Sequence, residues 1–217
     1  MRNSRHSTVV LLVLFLLSLG PQAFSGQKTS ITTVQEQDRY LRMADNFFII
    51  YDPSTAMAVP YKQSGLTRLE MEKKIIRKSN DSLPELGWQA GLYPHWKGGL
   101  WLNGSPKAFK PYYRLHNFDK KQYGQAIDRL PTNATGPPML QIALMKLEYL
   151  LGLAGRTQVF LFSNGQDSRV KGVKEPDPLA QAKKLAKNYD VCFTIISSAK
   201  DAAEKKLLTD MAAVNSC

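Results

Sequence analysis

The sequence NFFIIYDPSTA, residues 46–56, decides the fold expected for this chain. Its first six residues form a compact run rich in Phe and Ile, which is typical of a central strand buried on both faces. Asp52 and Ser54 follow this run directly, so we expect both side chains at the carboxyl end of the strand. Polar residues at a strand end are the first place to look for a binding site in an α/β protein.

Further strands and helices alternate along the chain. This alternation predicts an α/β fold: a doubly wound, mainly parallel central sheet with helices on both faces. The region 106–116 is basic and aromatic, and we expect a loop there. Strands are predicted over residues 88–93, 98–102, 157–163 and 190–197, and helices over residues 64–80, 119–130, 137–153, 176–188 and 201–214.

The predicted helix at residues 64–80 has a partial apolar stripe and a charged face. Residues spaced three or four apart share one side of a helix. The stripe comprises Leu66, Leu69, Ile75 and Ile76, and the side expected to face water comprises Glu70, Glu72, Lys73, Lys74, Arg77 and Lys78.

The first 25 residues have the pattern of a secretory signal. Arg2 and Arg5 precede the apolar run Val9–Leu19, and a small-residue cleavage site ends at Ser25. An uncleaved N-terminal anchor is the alternative. We therefore predict a signal peptide at residues 1–25, a leader segment at 26–43 and one globular domain at 44–217. After signal cleavage no membrane-spanning segment is expected.

Export changes how the two cysteines are interpreted. Cys192 and Cys217 are the only cysteines in the chain, and an even count in an oxidising compartment favours a disulfide. The alternative is two independent thiols. Two cysteines with no nearby histidine are poor ligands for zinc.

Several common activities lack their sequence motifs. No Gly-rich phosphate loop and no Gly-x-Ser-x-Gly turn occurs. The only histidines after the signal are His95 and His116, and each is expected to be solvated or packed. A formal charge of +11 favours an acidic partner, and an exported location argues against nucleic acid.

Three motifs at the predicted strand ends resemble those of von Willebrand factor type A (VWA) domains. They are Asp-x-Ser-x-x at residues 52–56, the Thr-Gly-Pro-Pro corner at 135–138 before a long helix, and Ser-Asn-Gly at 163–165 after a strand. The resemblance covers most of residues 44–217. The Leu-Pro-x-Leu-Gly turn at 83–87 and the late cysteine pair are similar to the N-terminal domain of some bacterial outer-membrane protein A family proteins.

The resemblance implies a site for Mg²⁺ or Mn²⁺ whose ligand set is degenerate here. The family uses Asp-x-Ser-x-Ser, a Thr and an Asp, all hard oxygen ligands. Asp52 and Ser54 match. Pro137 occupies the Thr position in one alignment, and Thr135 fills it only if one residue is inserted. Ala56 replaces the second Ser, and Asn164 replaces the last Asp. Asp52, Ser54 and Thr135 are therefore weak metal candidates, and we expect no required cofactor.

Aromatic and basic residues alternate between residues 88 and 113. Trp96 and Trp101 stand near Lys97 and Lys107, and such a loop could bind a partner through stacking and charge. The alternative is that Trp88 and Tyr93 belong to the sheet core and that the other aromatic residues pack a long loop.

The sequence thus predicts a non-enzymatic interaction module of a bacterial envelope, in the periplasm or associated with the outer membrane. Its partner would be an envelope protein or a cell-wall component, possibly acidic. The predicted partner-binding residues are Asp52, Ser54, Thr135, Asn164, Trp96 and Trp101. The alternatives are a metal-dependent adhesive domain, a small hydrolase using Ser54 or His95, and a structural envelope protein.

Overall fold

The computed structural model describes residues 42–95, 110–153, 155–168 and 177–215. All of them belong to one compact unit, Leu41–Cys217. The predicted signal and leader lie outside the described residues, except for 42 and 43. Within the described ranges, no helix has the length and apolarity that crossing a membrane requires.

A five-stranded sheet forms the centre of this unit, in the order β3-β2-β1-β4-β5. The pairs β1–β2, β1–β4 and β4–β5 are parallel, and β2–β3 is antiparallel. The mainly parallel sheet predicted from the sequence is confirmed. The strands are β1 (Asn46–Tyr51), β2 (Gln89–Pro94), β3 (Tyr113–Asn117), β4 (Thr157–Ser163) and β5 (Val191–Ser197).

Helices cover both faces of the sheet, because alternate side chains of β1 point to opposite sides. Phe48 and Ile50 belong to the core that contains the buried side chains of α3, α4 and α5. Phe47 and Ile49 belong to a second core, shared with α1 and α2. The helices are α1 (Arg68–Ser82), α2 (Lys120–Asp128), α3 (Leu140–Leu151), α4 (Pro178–Asn188) and α5 (Ala202–Ala212).

The loop predicted over residues 106–116 is wrong at its carboxyl end. Strand β3 occupies Tyr113–Asn117 and pairs with β2 through Leu92 and Tyr113. This is an edge strand of the described sheet, and Arg114, His116 and Asn117 are exposed. A strand with so little apolar surface gives no hydrophobic signal in the sequence. The strand predicted at 98–102 lies outside the described residues.

The prediction for α1 also needs correction. The helix begins at Arg68 rather than Ser64, because Thr67 caps it: the Thr67 hydroxyl accepts from Glu70 N at 3.2 Å, and Thr67 N donates to Glu70 Oε2 at 2.7 Å. Glu72, expected to face water, is only 4% exposed, whereas Ile75 from the expected apolar stripe is 37% exposed.

Candidate partner-binding site

The parallel strands bring several polar residues to one edge of the sheet. Asp52 follows β1, His95 follows β2, and Asn164 follows β4. Because β1 pairs in parallel with both β2 and β4, the three strands end at the same edge of the sheet. Asp52, His95 and Asn164 therefore lie at that edge. The structure therefore places Asp52 and Asn164 together, as the sequence predicted.

The loop after β1 is held by the Asp52 carboxylate. Asp52 is fully buried, and its Oδ1 accepts a hydrogen bond from Ser54 N at 3.0 Å. This is an Asx turn, in which a side chain fixes the backbone two residues on. Asp52 Oδ2 and the Ser54 hydroxyl are buried without a hydrogen-bond partner among the described residues.

The loop before α3 is joined to the loop after β1. Thr135 N donates to Pro53 O at 2.7 Å, and Thr55 N donates to Gly136 O at 2.8 Å. The Thr55 hydroxyl donates to the same Gly136 carbonyl at 3.1 Å. Thr55 and Thr135 are both exposed. The second loop therefore presents Thr135 next to the first, as the resemblance implied.

The loop after β4 is fixed in a similar way. Asn164 is fully buried, and its Oδ1 accepts from Gln166 N at 3.0 Å, while the Ser163 hydroxyl accepts from Gly165 N at 3.0 Å. Gly165 has a φ of 84°, and a Cβ there would lie 2.9 Å from Glu204 O of α5. Only glycine fits this position without strain. The Asn164 side-chain nitrogen has no hydrogen-bond partner among the described residues.

Two buried ionisable residues complete this region, and neither is among the partner-binding residues predicted from the sequence. Glu72 Oε2 accepts from Asp52 N at 3.4 Å, and His95 Nδ1 lies 3.9 Å from Asp52 Oδ1. His95 Nε2 lies 2.8 Å from Phe162 O. A carbonyl only accepts, so Nε2 carries the hydrogen of a neutral ring. The sequence signal for His95 was its position two residues after the strand predicted over 88–93.

Burial controls the protonation of both residues. Burial raises the pKa of Glu72 well above its usual range, and the negative charge of Asp52 raises it further. Burial lowers the pKa of His95, although the Asp52 charge opposes this shift. Both groups therefore favour their neutral forms beside Asp52.

We use the name strand-end cluster for the five buried residues Asp52, Ser54, Glu72, His95 and Asn164. Each of them has one buried polar side-chain atom without a hydrogen-bond partner among the described residues. Such an atom costs roughly 1–3 kcal/mol. A concentration of them is not explained by stability, and perturbed buried groups of this kind gather at functional sites.

The residues present do not make up the VWA family's ligand set. Asp52 Oδ2 and the Ser54 hydroxyl are oxygen donors of the right kind, but Ala56 has none. Asn164 contributes an amide whose oxygen is already used by Gln166 N. The ring of His95 lies beside Asp52. This mixture differs from the hard, negatively charged oxygen set that Mg²⁺ and Mn²⁺ prefer.

The remaining predicted site residues fall in other places. Trp96, Trp101 and Cys217 lie outside the described residues. Cys192 lies in β5, where its carbonyl accepts from Gln158 Nε2 at 3.1 Å. Its pairing with Cys217 stays a prediction.

Comparisons with known proteins identify the fold. No family model and no curated protein matches the chain. Among solved structures, proximal thread matrix protein 1 from the mussel byssus, with a zinc-occupied MIDAS motif, has a TM-score of 0.58 at 17% identity. That match covers 78% of this chain and 41% of the mussel chain. This chain thus spans less than half of the mussel protein's length.

Two further matches cover most of both chains. The SpRpn10 VWA domain has a TM-score of 0.51 at 17% identity, covering 80% of this chain and 83% of that one. BatB from Bacteroides thetaiotaomicron has a TM-score of 0.54 at 12% identity, covering 78% and 85%. The chain therefore has the fold of a VWA domain.

Proposed function

We propose that this chain is an exported, non-enzymatic interaction module of the bacterial cell envelope. It would bind an envelope protein or a wall component at three loops. Two of them follow β1 and β4, and the third precedes α3. The observation that carries this proposal is the strand-end cluster: five buried polar residues, of which Asp52 and Asn164 fix the loops after β1 and β4. VWA domains generally mediate protein–protein interactions, which supports the proposal.

The burial of the cluster determines which residues a partner would touch. Asp52, Ser54 and Asn164 are at most 1% exposed, so they act by positioning the loops. Thr55, Thr135 and Gln166 are exposed on those same loops. We name these three residues the contact surface, and we propose that a partner binds there.

Binding would not require a divalent cation. Two positions that supply oxygen ligands in the VWA family hold Ala56 and Asn164, and the degenerate metal site implied by the sequence rests on them. The alternative is a metal-dependent adhesive domain. The unpartnered oxygens of Asp52 and Ser54 favour that alternative, so the experiment must separate the two.

A hydrolase is the less favoured candidate. Catalysis by Ser54 would need a base within hydrogen-bond reach of its hydroxyl. The Ser54 hydroxyl and His95 Nδ1 both lack hydrogen-bond partners among the described residues, so they do not bond to each other. His95 Nε2 is occupied by Phe162 O.

Export and an envelope location remain proposals that rest on residues 1–25, with the periplasm or the outer membrane as the site of action. The similarity to the N-terminal domain of outer-membrane protein A family proteins, carried by the turn at 83–87 and the cysteine pair, points the same way. A direct check is fractionation of the source cells, with the mature N-terminus expected after Ser25.

Capture from an envelope extract tests the interaction surface. The immobilised chain should retain a partner in excess EDTA. Thr135→Arg should abolish retention, because a large side chain would stand in the contact surface. Asn188→Arg is the matched control, since it adds the same side chain at an exposed position of α4. Loss of retention in EDTA would support the metal-dependent alternative, and full retention by Thr135→Arg would contradict the surface.

A further inference from the structure

A second candidate site lies beside β3, an outermost strand of the described sheet. A groove of about 300 Å³ lies between β3 and α2. Strand β3 contributes Arg114 and His116 to its lining, and the α2 side contributes Gln122, Gln125 and Arg129. The spacing of the last three residues places them on one side of the helix. The groove is thus a concave surface lined by exposed polar side chains.

The groove is positively charged without internal compensation. None of its described lining residues is an Asp or Glu. No salt bridge between described residues includes Arg114 or Arg129. Arg129 Nη2 donates to Tyr112 O at 3.0 Å, so this guanidinium is held in place while its charge stays unpaired.

The acidic side chains at the two ends of α2 are engaged by other groups. Asp119 caps the start of α2, where its Oδ1 accepts from Gln122 N at 2.7 Å. Asp128 at the end of α2 forms an ion pair with Arg77. Neither carboxylate forms a salt bridge with Arg114 or Arg129. The guanidinium groups of Arg114 and Arg129 could therefore form ion pairs with an anionic ligand.

The rings around the groove favour a peptide over a sugar as the ligand. Sugars bind on the open face of an aromatic ring. Tyr113 is buried, and the ring of His116 covers it at a centroid distance of 4.1 Å. Tyr112 contacts the ring of Tyr51 at 5.9 Å. Exposed carboxamides such as Gln122 and Gln125 both donate and accept and can therefore bond to a peptide main chain, whereas the choice of a peptide over a sugar rests on the covered rings.

We propose that this groove binds an acidic segment of a partner protein. Side-chain carboxylates of the segment would pair with Arg114 and Arg129, and its main-chain amides would bond to Gln122 and Gln125. This inference rests on the interaction function proposed above and gives it a second contact, separate from the strand-end cluster.

Fluorescence anisotropy with a labelled peptide of alternating Asp and Ser tests the groove, with the peptide of alternating Asn and Ser as the matched probe. The full chain, purified after export, should bind the Asp peptide and not the Asn peptide. Arg114→Gln should weaken binding about threefold, and the double variant Arg114→Gln/Arg129→Gln about tenfold, since exposed ion pairs are individually weak.

Control variants separate this site from general charge and from the strand-end cluster. Lys183→Gln/Lys187→Gln on α4 removes the same charge and should leave the affinity unchanged. Arg129→Lys keeps the charge and a donor for Tyr112 O, so it should bind nearly as the parent does. Thr135→Arg should also bind the Asp peptide normally, even where it loses the captured partner.

Four results would overturn the proposal. They are no binding of the Asp peptide by the parent chain, equal binding of the Asn peptide, unchanged affinity in the double arginine variant, or binding of polygalacturonate in place of the Asp peptide. The last result would make the groove a site for acidic polysaccharide. None of these four results tests the contact surface. The capture experiment tests that surface separately, through the retention of a partner by Thr135→Arg.

Discussion

The strand-end cluster and the groove between β3 and α2 differ in burial and in charge. The cluster is buried, and its Asp52 carboxylate and Asn164 amide fix two loops, while five polar atoms of the cluster have no hydrogen-bond partner among the described residues. The groove is exposed, and its arginines belong to no described salt bridge. One region therefore depends on exact packing, whereas the other depends on charge that solvent screens.

This contrast teaches which changes each region tolerates. A small shape change in the buried region should be costly, because packed interiors relax only in part. A charge change in the groove should alter binding while leaving the fold almost unaffected. Measurements of the free energy of unfolding on matched variants distinguish the buried cluster from the exposed groove.

The largest expected effect is at Gly165. Gly165→Ala should lower the free energy of unfolding by about 2 kcal/mol, because its positive φ and the approach to Glu204 O both disfavour a Cβ. Gly65→Ala is the control: Gly65 has a φ of 72°, but a Cβ there meets nothing within 4 Å. It should cost about 1 kcal/mol. Urea unfolding measures both, and equal losses would show that α5 does not fix the third loop.

A smaller effect should appear at Glu72 as a function of pH. Its folded-state pKa is raised above 4.5, so its contribution to stability is complete below pH 4.5 and is lost as the pH rises through the folded pKa. Glu72→Gln removes this loss and should be more stable than the parent at pH 7, on the order of 1 kcal/mol.

Glu148 provides a control of opposite sign. The Lys184 ammonium lowers the pKa of Glu148, so Glu148 stabilises the fold above pH 4.5 and this contribution is lost as the pH falls. Glu148→Gln should therefore be less stable than the parent at pH 7. A stability difference for Glu72→Gln that does not vary with pH would contradict its assignment as a buried carboxyl disfavoured in its charged form.

The smallest effect is expected in the groove. Arg114→Gln should change the free energy of unfolding by less than about 0.5 kcal/mol, because this side chain is exposed and belongs to no described salt bridge. Urea unfolding in parallel with Gly165→Ala gives the comparison. A loss near 2 kcal/mol would make Arg114 a structural residue and remove the contrast between the two regions.

Sequence alone gave the parts of the fold that depend on burial. Strands β1, β4 and β5 lie within one residue of their predictions because continuous apolar runs mark them. Strand β3 was missed because an edge strand has little apolar surface. Glu72 was assigned to the wrong side of α1, since a helical period cannot show that a carboxyl is buried against the neighbouring Asp52.

The candidate site, like the fold, could be predicted from the sequence only in part. Asp52, Ser54 and Asn164 could be placed because parallel strands end at one edge, so residues following them must meet. Their burial could not be predicted, and it changes their role from contact to positioning. The exposed residues Thr55 and Gln166 carry no sequence signal, because only the turns formed by Asp52 and Asn164 bring them to the surface.

We propose that this chain, which has a VWA fold, binds its partner without a divalent cation. Calorimetric titration of Mg²⁺ and Mn²⁺ into the chain tests it, with Asp52→Ala as the negative control and Ala56→Ser/Asn164→Asp, which restores two family ligands, as the positive control. We predict that neither cation binds the parent with a Kd at or below ~1 mM and that binding is measurable in the restored variant. If the parent binds either cation with a Kd below ~1 mM and Asp52→Ala does not, this result would contradict the proposal that binding needs no cation.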